Sequence, residues 1–204
     1  MIRHGENNLM KYGKYIRSAC GHFKTISEHR AEVCRICFQL GLYWQGLTHD
    51  LSKYAPEEFR TGVLHYQGDR SPNAAEREER GFSPAWLHHK GHNKHHYEYW
   101  TDVSPRHGWK IEGVKMPVRY VGEMFADRIA ACKTYQKEKY TDRSPWEYYH
   151  RMSRFITIHP QTRALLERLL KMLAVYGEDK TFAYVRHLLR KGSYPADIER
   201  NIKA

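Results

Sequence analysis

Apolar residues recur at three- and four-residue steps along most of this chain, and no alternation at steps of two is sustained. The pattern predicts helices and no convincing strand of useful length. From Thr25 the segment TISEHRAEVCRICFQLG predicts a helix, because Thr25 and Glu28 have capping-box spacing and Gly41 stands where a helix would end. Val33, Ile36 or Cys37, and Leu40 mark its apolar face, and His29 falls on the same face, pointing inward. The next segment, YWQGLTHDLSKYAPEEF, predicts a second helix ending near Lys53, with His49 and Asp50 close to its end. Pro56 followed by Glu57 and Glu58 then marks a new start.

Residues 67–84 are polar and punctuated by Gly and Pro, which predicts a surface excursion holding a short helix. Residues 85–100 follow as a helix, and 101–116, with Pro105, Gly108 and Gly113, as a loop or short hairpin. Pro117 opens another helix, on which Val121, Met124, Phe125 and Ile129 repeat at helical intervals and Glu123 and Asp127 lie on or beside the stripe. Farther on, ALLERLLKMLAVYG and TFAYVRHLLRKG are each amphipathic and each close on Gly. With no internal repeat and no heptad run, the expected fold is all-α. The expected organisation is one domain over residues 1–204, with a core of about 12–140 on which the helices of 141–204 pack.

Composition narrows the class. A hydrophobic fraction of 41% with 13% aromatics predicts a packed globular chain. No apolar run is long enough to cross a bilayer and MIRHGENNLMKYGK lacks a signal-type apolar segment, so the expected location is cytoplasmic with no membrane partner. Four cysteines are sparse for a disulfide framework. Cys34 and Cys37 lie one helical turn apart, but there is no second CxxC, so buried thiols are expected in place of a zinc site. The net charge of +11 favours anionic partners: a nucleotide, another phosphorylated small molecule, or nucleic acid. The basic residues are scattered along the chain, which also fits a plain solvated surface. Oligomeric state has no signal in the sequence.

The chemistry concentrates in AWLHHKGHNKHHYEYW, where five of sixteen positions are histidine. On a helix His89, His92 or Asn93, and His96 line up, while His88, His92 and His95 form the adjacent stripe, so two or three imidazoles can converge and the rest face away. Three other predicted helices offer His29, the pair His49 and Asp50, and Asp127. Imidazole with carboxylate is the ligand set of Zn, Fe, Mn or Ni, and helical bundles build such sites from inward side chains of facing helices. Buried without an ion, each of these groups would need its own partner. Tyr97, Tyr99 and Trp100 follow at helical spacing, placed for the core or for stacking on a base.

A histidine, then HD, then a later aspartate, all on helices, resembles the HD-domain superfamily of metal-dependent phosphohydrolases, and HDLSK resembles its HD-x-x-K form. The order of HR at 29, GLTHDLSKYAPEEF, AWLHHKGHNKHHYEYW and EMFAD also resembles an uncharacterised domain-of-unknown-function family of bacteria and their phages, over roughly residues 12–132. The resemblance implies an HD-like helical bundle with one or two divalent transition ions (Mn, Fe, Zn or Ni) between its helices. It implies that His29, His49, Asp50 and Asp127 hold the first ion and that Asp50 bridges to a second. His89 and His96 would complete the second, with His95 in reserve and His92 behind it. Two-metal relatives often draw these histidines from separate elements, whereas here they crowd into one segment. The implied activity is hydrolysis of a nucleotide or other phosphate ester by metal-activated water. Lys53 is placed to meet the phosphate, and Glu123 and Asn93 to transfer protons or orient ligands. Two other expectations compete: a di-iron oxygenase on the same scaffold, and a nucleic-acid-binding module whose metal is structural.

Overall fold

A computed structural model describes residues 3–105 and 108–200, with side chains from residue 12. The fold is all-α. Its helices are α1 (Arg3–Leu40), α2 (Tyr43–Thr48), α3 (Pro56–Leu64), α4 (Pro72–Arg80), α5 (Pro84–His92), α6 (Val118–Gln136), α7 (Ser144–Met152), α8 (Pro160–Lys191) and α9 (Ala196–Arg200). Between α5 and α6 lies a hairpin of β1 (Thr101–Ser104) and β2 (Lys110–Gly113), paired antiparallel with Val103 opposite Ile111. The core forms where α1, α6 and α8 meet. Val33, Ile36 and Leu40 of α1 interlock with Val121, Phe125 and Ile129 of α6 and with Leu165, Leu169 and Leu173 of α8, all buried, and Tyr149 of α7 closes one side.

Three predicted boundaries move. The capping-box spacing at Thr25 does not start a helix, because α1 already runs through it from Arg3; the Thr25 hydroxyl instead pairs with that of Tyr66 at 3.1 Å. No proline interrupts residues 3–40, and Gly21, where a Cβ would stand 2.5 Å from the Tyr66 ring, lets that ring pack against the helix. Gly41 does end α1, in the left-handed conformation at φ 83°, with the Leu42 amide bonding back to the Cys37 carbonyl at 2.8 Å. The second predicted helix stops at Thr48 rather than near Lys53, and residues 51–54 form a separate 3₁₀ turn. The histidine helix stops at His92, because Asn93 turns extended and its side-chain amide donates to the His89 carbonyl at 2.7 Å. Near the C-terminus the two predicted helices are one element, α8, bent at Gly177, where φ is 75° and ψ −179°.

The hairpin of 101–113 docks through Gly113. A Cβ there would collide with the backbone of Ile158 and His159, so only glycine allows β2 to lie against the start of α8. Of the four cysteines, Cys37 and Cys132 are buried, Cys34 is half-buried and Cys20 exposed, and none is in a disulfide. No helix is long and apolar enough to cross a membrane among the described residues.

Phe125 is fully buried on α6, between α1 and α8. Phe125→Ala should lower the unfolding free energy by about 3–5 kcal/mol, read from urea denaturation of metal-free protein. A loss below about 1 kcal/mol would contradict a core centred on α6.

Candidate metal centre

Asp50 stands at the centre of the site, and its backbone is unusual. It follows α2 in the left-handed conformation at φ 52°, ψ 29°, which costs a residue with a Cβ about 1–2 kcal/mol. Arg30 holds the turn: its Nε donates to the His49 carbonyl at 2.7 Å and its Nη2 to the Leu47 carbonyl at 3.2 Å. The reversal lets the side chains of His49 and Asp50, neighbours in sequence, converge in the interior, each only 1% exposed.

Two groups of donors share the Asp50 carboxylate. Around Oδ2, His29 Nε2 of α1 lies at 3.8 Å and His49 Nε2 at 3.3 Å. Asp127 Oδ1 of α6 lies 3.1 Å from His29 Nε2 and 3.7 Å from His49 Nε2. Around Oδ1, His89 Nε2 of α5 lies at 3.3 Å and His95 Nε2 at 3.4 Å, while His96 Nε2 is 2.8 Å from His89 Nε2. Ligand atoms about 2.1 Å from a common ion are at most about 4.2 Å apart. Each of these spacings falls below that limit.

His29 Nε2, His49 Nε2, His95 Nε2 and both oxygens of Asp50 are buried without a hydrogen bond. Their neighbours within the cluster stand at ion-pair distance, 3.1–3.8 Å. Orphaned atoms of this kind cost roughly 1–3 kcal/mol each, more where charged, and an ion that accepts the lone pairs removes that cost. The buried groups can therefore hold metal.

A second layer of carboxylates sets the imidazoles. Glu123, one turn before Asp127 on α6, places Oε1 at 3.0 Å from His49 Nδ1 and 3.2 Å from His95 Nδ1. Glu58 of α3 places Oε2 at 2.7 Å from His89 Nδ1. A carboxylate only accepts, so each Nδ1 carries a proton and each Nε2 is the ring atom turned to the cluster. Asn93 belongs to this layer too, donating to the Ser52 hydroxyl at 2.8 Å. Lys53 Nζ sits 2.6 Å from Asp50 Oδ2.

The charges follow from burial and neighbours. Burial is the largest influence on Asp50 and works against its charge, but His49 and Lys53 outweigh it and hold the carboxyl well below the usual range. The same opposition, won by His29 and His49, keeps Asp127 ionised. His49 is carried well above the ordinary histidine value, since Asp50, Asp127 and Glu123 overcome its burial. Burial pushes His29 down, helped by Lys53, and pushes His96 well down, helped by His95 and His89.

All seven expected ligands, His29, His49, Asp50, His89, His95, His96 and Asp127, thus meet in one place, with Lys53, Glu123 and Asn93 around them. His89 and His96 meet as expected but not by sharing a helical face: α5 has ended, and a turn through residues 93–96 brings His95 and His96 back to His89. His92 is exposed and outside the cluster. Glu123 is not free for proton transfer, because it is buried and engaged by two imidazoles. Glu58 stands out in the sequence only as a helix-start charge. Its role has one signal there: several inward histidines need acceptors for their Nδ1 protons, and Glu123 alone is too few. A cavity of about 490 Å³ between α3 and α4, lined by Glu57, Arg60, His65 and Glu76 among others, holds none of these residues. A smaller one of about 50 Å³ is bounded by Lys53, Glu58, His22, Thr25, Tyr66 and Tyr135 and reaches the cluster at Lys53.

Two measurements follow. Glu123→Gln should weaken metal binding by about 10- to 100-fold, read by calorimetry, because the amide no longer offers both imidazoles a carboxylate. An unchanged affinity would mean that Glu123 does not prepare the ligands. Metal must also expel the proton that the raised His49 holds, so affinity should fall on acidification below neutral pH, by about tenfold per unit for each proton released. A flat profile from pH 7.5 to 6 would contradict the protonated His49.

No curated protein and no solved structure matches the chain. A family model does, over residues 18–172, farther toward the C-terminus than the motifs suggest. The match runs from α1 into α8 and contains every residue of the cluster, and the chain belongs to the family of unknown function DUF5662.

Proposed function

We propose that this chain is a metal-dependent phosphohydrolase of HD type, acting on a nucleotide or other phosphate ester. Lys53 carries the reading: it is a half-buried cation paired with the shared carboxylate of Asp50, and it lines the small cavity beside the cluster. Asp50 and Asp127 lift the Lys53 ammonium above its ordinary value despite burial, so it acts as a fixed positive charge and not as a proton donor. That suits it to receive a phosphoryl oxygen as a point charge.

His29, His49, Asp50 and Asp127 would hold one divalent ion, and Asp50, His89, His95 and His96 a second. When bound, such ions supply Lewis acidity toward the phosphoryl group and a water that ionises near neutral pH. The chain does the rest. Glu123 and Glu58 hold the imidazoles in the tautomer that binds metal, Asn93 and Ser52 brace His89, and Arg30 fixes the turn that presents Asp50. Side-chain exposure rises from 1% at Asp50 to 18% at Asp127 and 26% at Lys53, so substrate approaches from the Asp127 and Lys53 side.

One observation favours a second reading. Five imidazoles against two aspartates is a nitrogen-rich set compatible with iron, which supports a di-iron oxygenase on the same scaffold.

Metal-free protein reconstituted with Mn²⁺ or Zn²⁺ should release phosphate from nucleoside monophosphates or p-nitrophenyl phosphate. Lys53→Met should lower kcat/KM by about 100-fold, equivalent to about 2.7 kcal/mol, with metal content unchanged. Substrate-dependent oxygen consumption by the iron-loaded protein, with no phosphate release under any metal, would replace the hydrolase by the oxygenase.

A further inference from the structure

Lys53 faces two ways: its Nζ pairs with Asp50 Oδ2 at 2.6 Å, and its side chain lines the cavity of about 50 Å³ beside the cluster. Separate segments bring polar side chains to that cavity. His22 and Thr25 come from neighbouring turns of α1, Tyr66 from the loop after α3 and Tyr135 from the end of α6.

Two of these groups lack a partner. His22 is 5% exposed, and its ring packs on Phe59 and Tyr66, 5.3 and 6.1 Å between centroids, with no hydrogen bond among the described residues. The Tyr135 hydroxyl likewise makes none among them, although it is near enough to Lys53 and Asp127 to feel both charges. Buried polar groups are as a rule hydrogen-bonded, so two unpaired groups on one cavity point to a ligand. The Thr25 and Tyr66 hydroxyls pair at 3.1 Å, which uses one hydrogen and leaves the other to donate.

The lining favours an anion. Burial and the charge of Lys53 push His22 down to about 4, so its ring is neutral with one N–H to donate. Burial lifts the Tyr135 phenol above its ordinary value, so it keeps its hydrogen. Glu58 also borders the cavity, but its oxygens are taken by His88 Nδ1 at 2.8 Å and His89 Nδ1 at 2.7 Å. Arg70, at the rim, is taken by Glu78. A fixed cation and a ring of donors therefore face the space. A water occupies about 10–15 Å³ of such space, so the cavity takes about four, the size of one phosphate group and too small for a base.

We propose that the cavity bounded by His22, Thr25, Lys53, Tyr66 and Tyr135 is a subsite for a second phosphate group of the substrate. One ammonium reaches that group and a phosphoryl group at the metal centre together only when the two are neighbours, as in a diphosphate. Service to the substrate rests on the phosphohydrolase reading above; binding of phosphate by the cavity does not.

The test titrates metal-free protein with inorganic phosphate, by calorimetry, for wild type and Tyr135→Phe, a change that removes one hydroxyl and keeps the ring. Wild type should bind one equivalent, and Tyr135→Phe should bind it about tenfold more weakly. No binding in wild type, or equal affinity in the two proteins, would overturn the subsite. With Mn²⁺ restored, wild type should use a nucleoside diphosphate about tenfold better in kcat/KM than the monophosphate, and Tyr135→Phe should lose that preference. Phosphate binding without the preference would assign the cavity to free phosphate and overturn its service to the substrate. Phosphate binding with no turnover of either nucleotide under any metal would uphold the anion site and remove the hydrolase instead.

Discussion

The structure depends on one buried carboxylate. Asp50 is ionised in the interior, and an isolated charge there would cost several kcal/mol at least. Lys53 and His49 offset part of that cost. Both Asp50 oxygens, with Nε2 of His29, His49 and His95, lack a hydrogen bond, so the rest of that cost is left for a bound ion to offset. Oδ2 turns to His29, His49 and the Asp127 side, Oδ1 to His89 and His95, and this division is what makes the cluster two groups sharing one ligand.

The rest of the fold supports that residue. The left-handed turn at Asp50 persists because Arg30, next to His29 on α1, clamps the carbonyls before it. The packing of α1 on α6 sets the spacing of His29 from Asp127 and of His49 from Glu123. Asn93 ends α5 by bonding back to His89, and the chain then returns His95 and His96 to the same point. Two glutamates, one buried on α3 and one on α6, choose the protonated nitrogen of the rings they touch. The density of histidine in residues 85–100 therefore has two causes: three rings turned inward, and two held outward against Glu58 and the end of α5.

Helical periodicity makes the all-α fold and the inward faces of α1 and α6 legible, and with them His29, Glu123 and Asp127. The chemistry of imidazole beside carboxylate makes the convergence of the seven residues legible before any geometry. What the pattern misses are events that depend on single long-range bonds. Thr25 carries a good capping spacing but spends its hydroxyl on Tyr66, far along the chain. Residues 85–100 keep helical spacing in their histidines, yet one Asn93 side chain stops the helix. A period cannot report either bond. Glu58 escapes sequence reasoning for another cause: a glutamate in a first helical turn already has a reason to be there, so its contact with two histidines leaves no trace in local sequence.

We propose that Asp50 is shared by two metal ions. The most direct measurement is elemental mass spectrometry of protein purified without added metal and dialysed to remove loosely held ions, for wild type beside Asp50→Ala and His96→Ala. Two equivalents in wild type, none in Asp50→Ala and a partial loss in His96→Ala are the expected result. No retained metal in wild type, even after reconstitution, or full retention in Asp50→Ala, would contradict it.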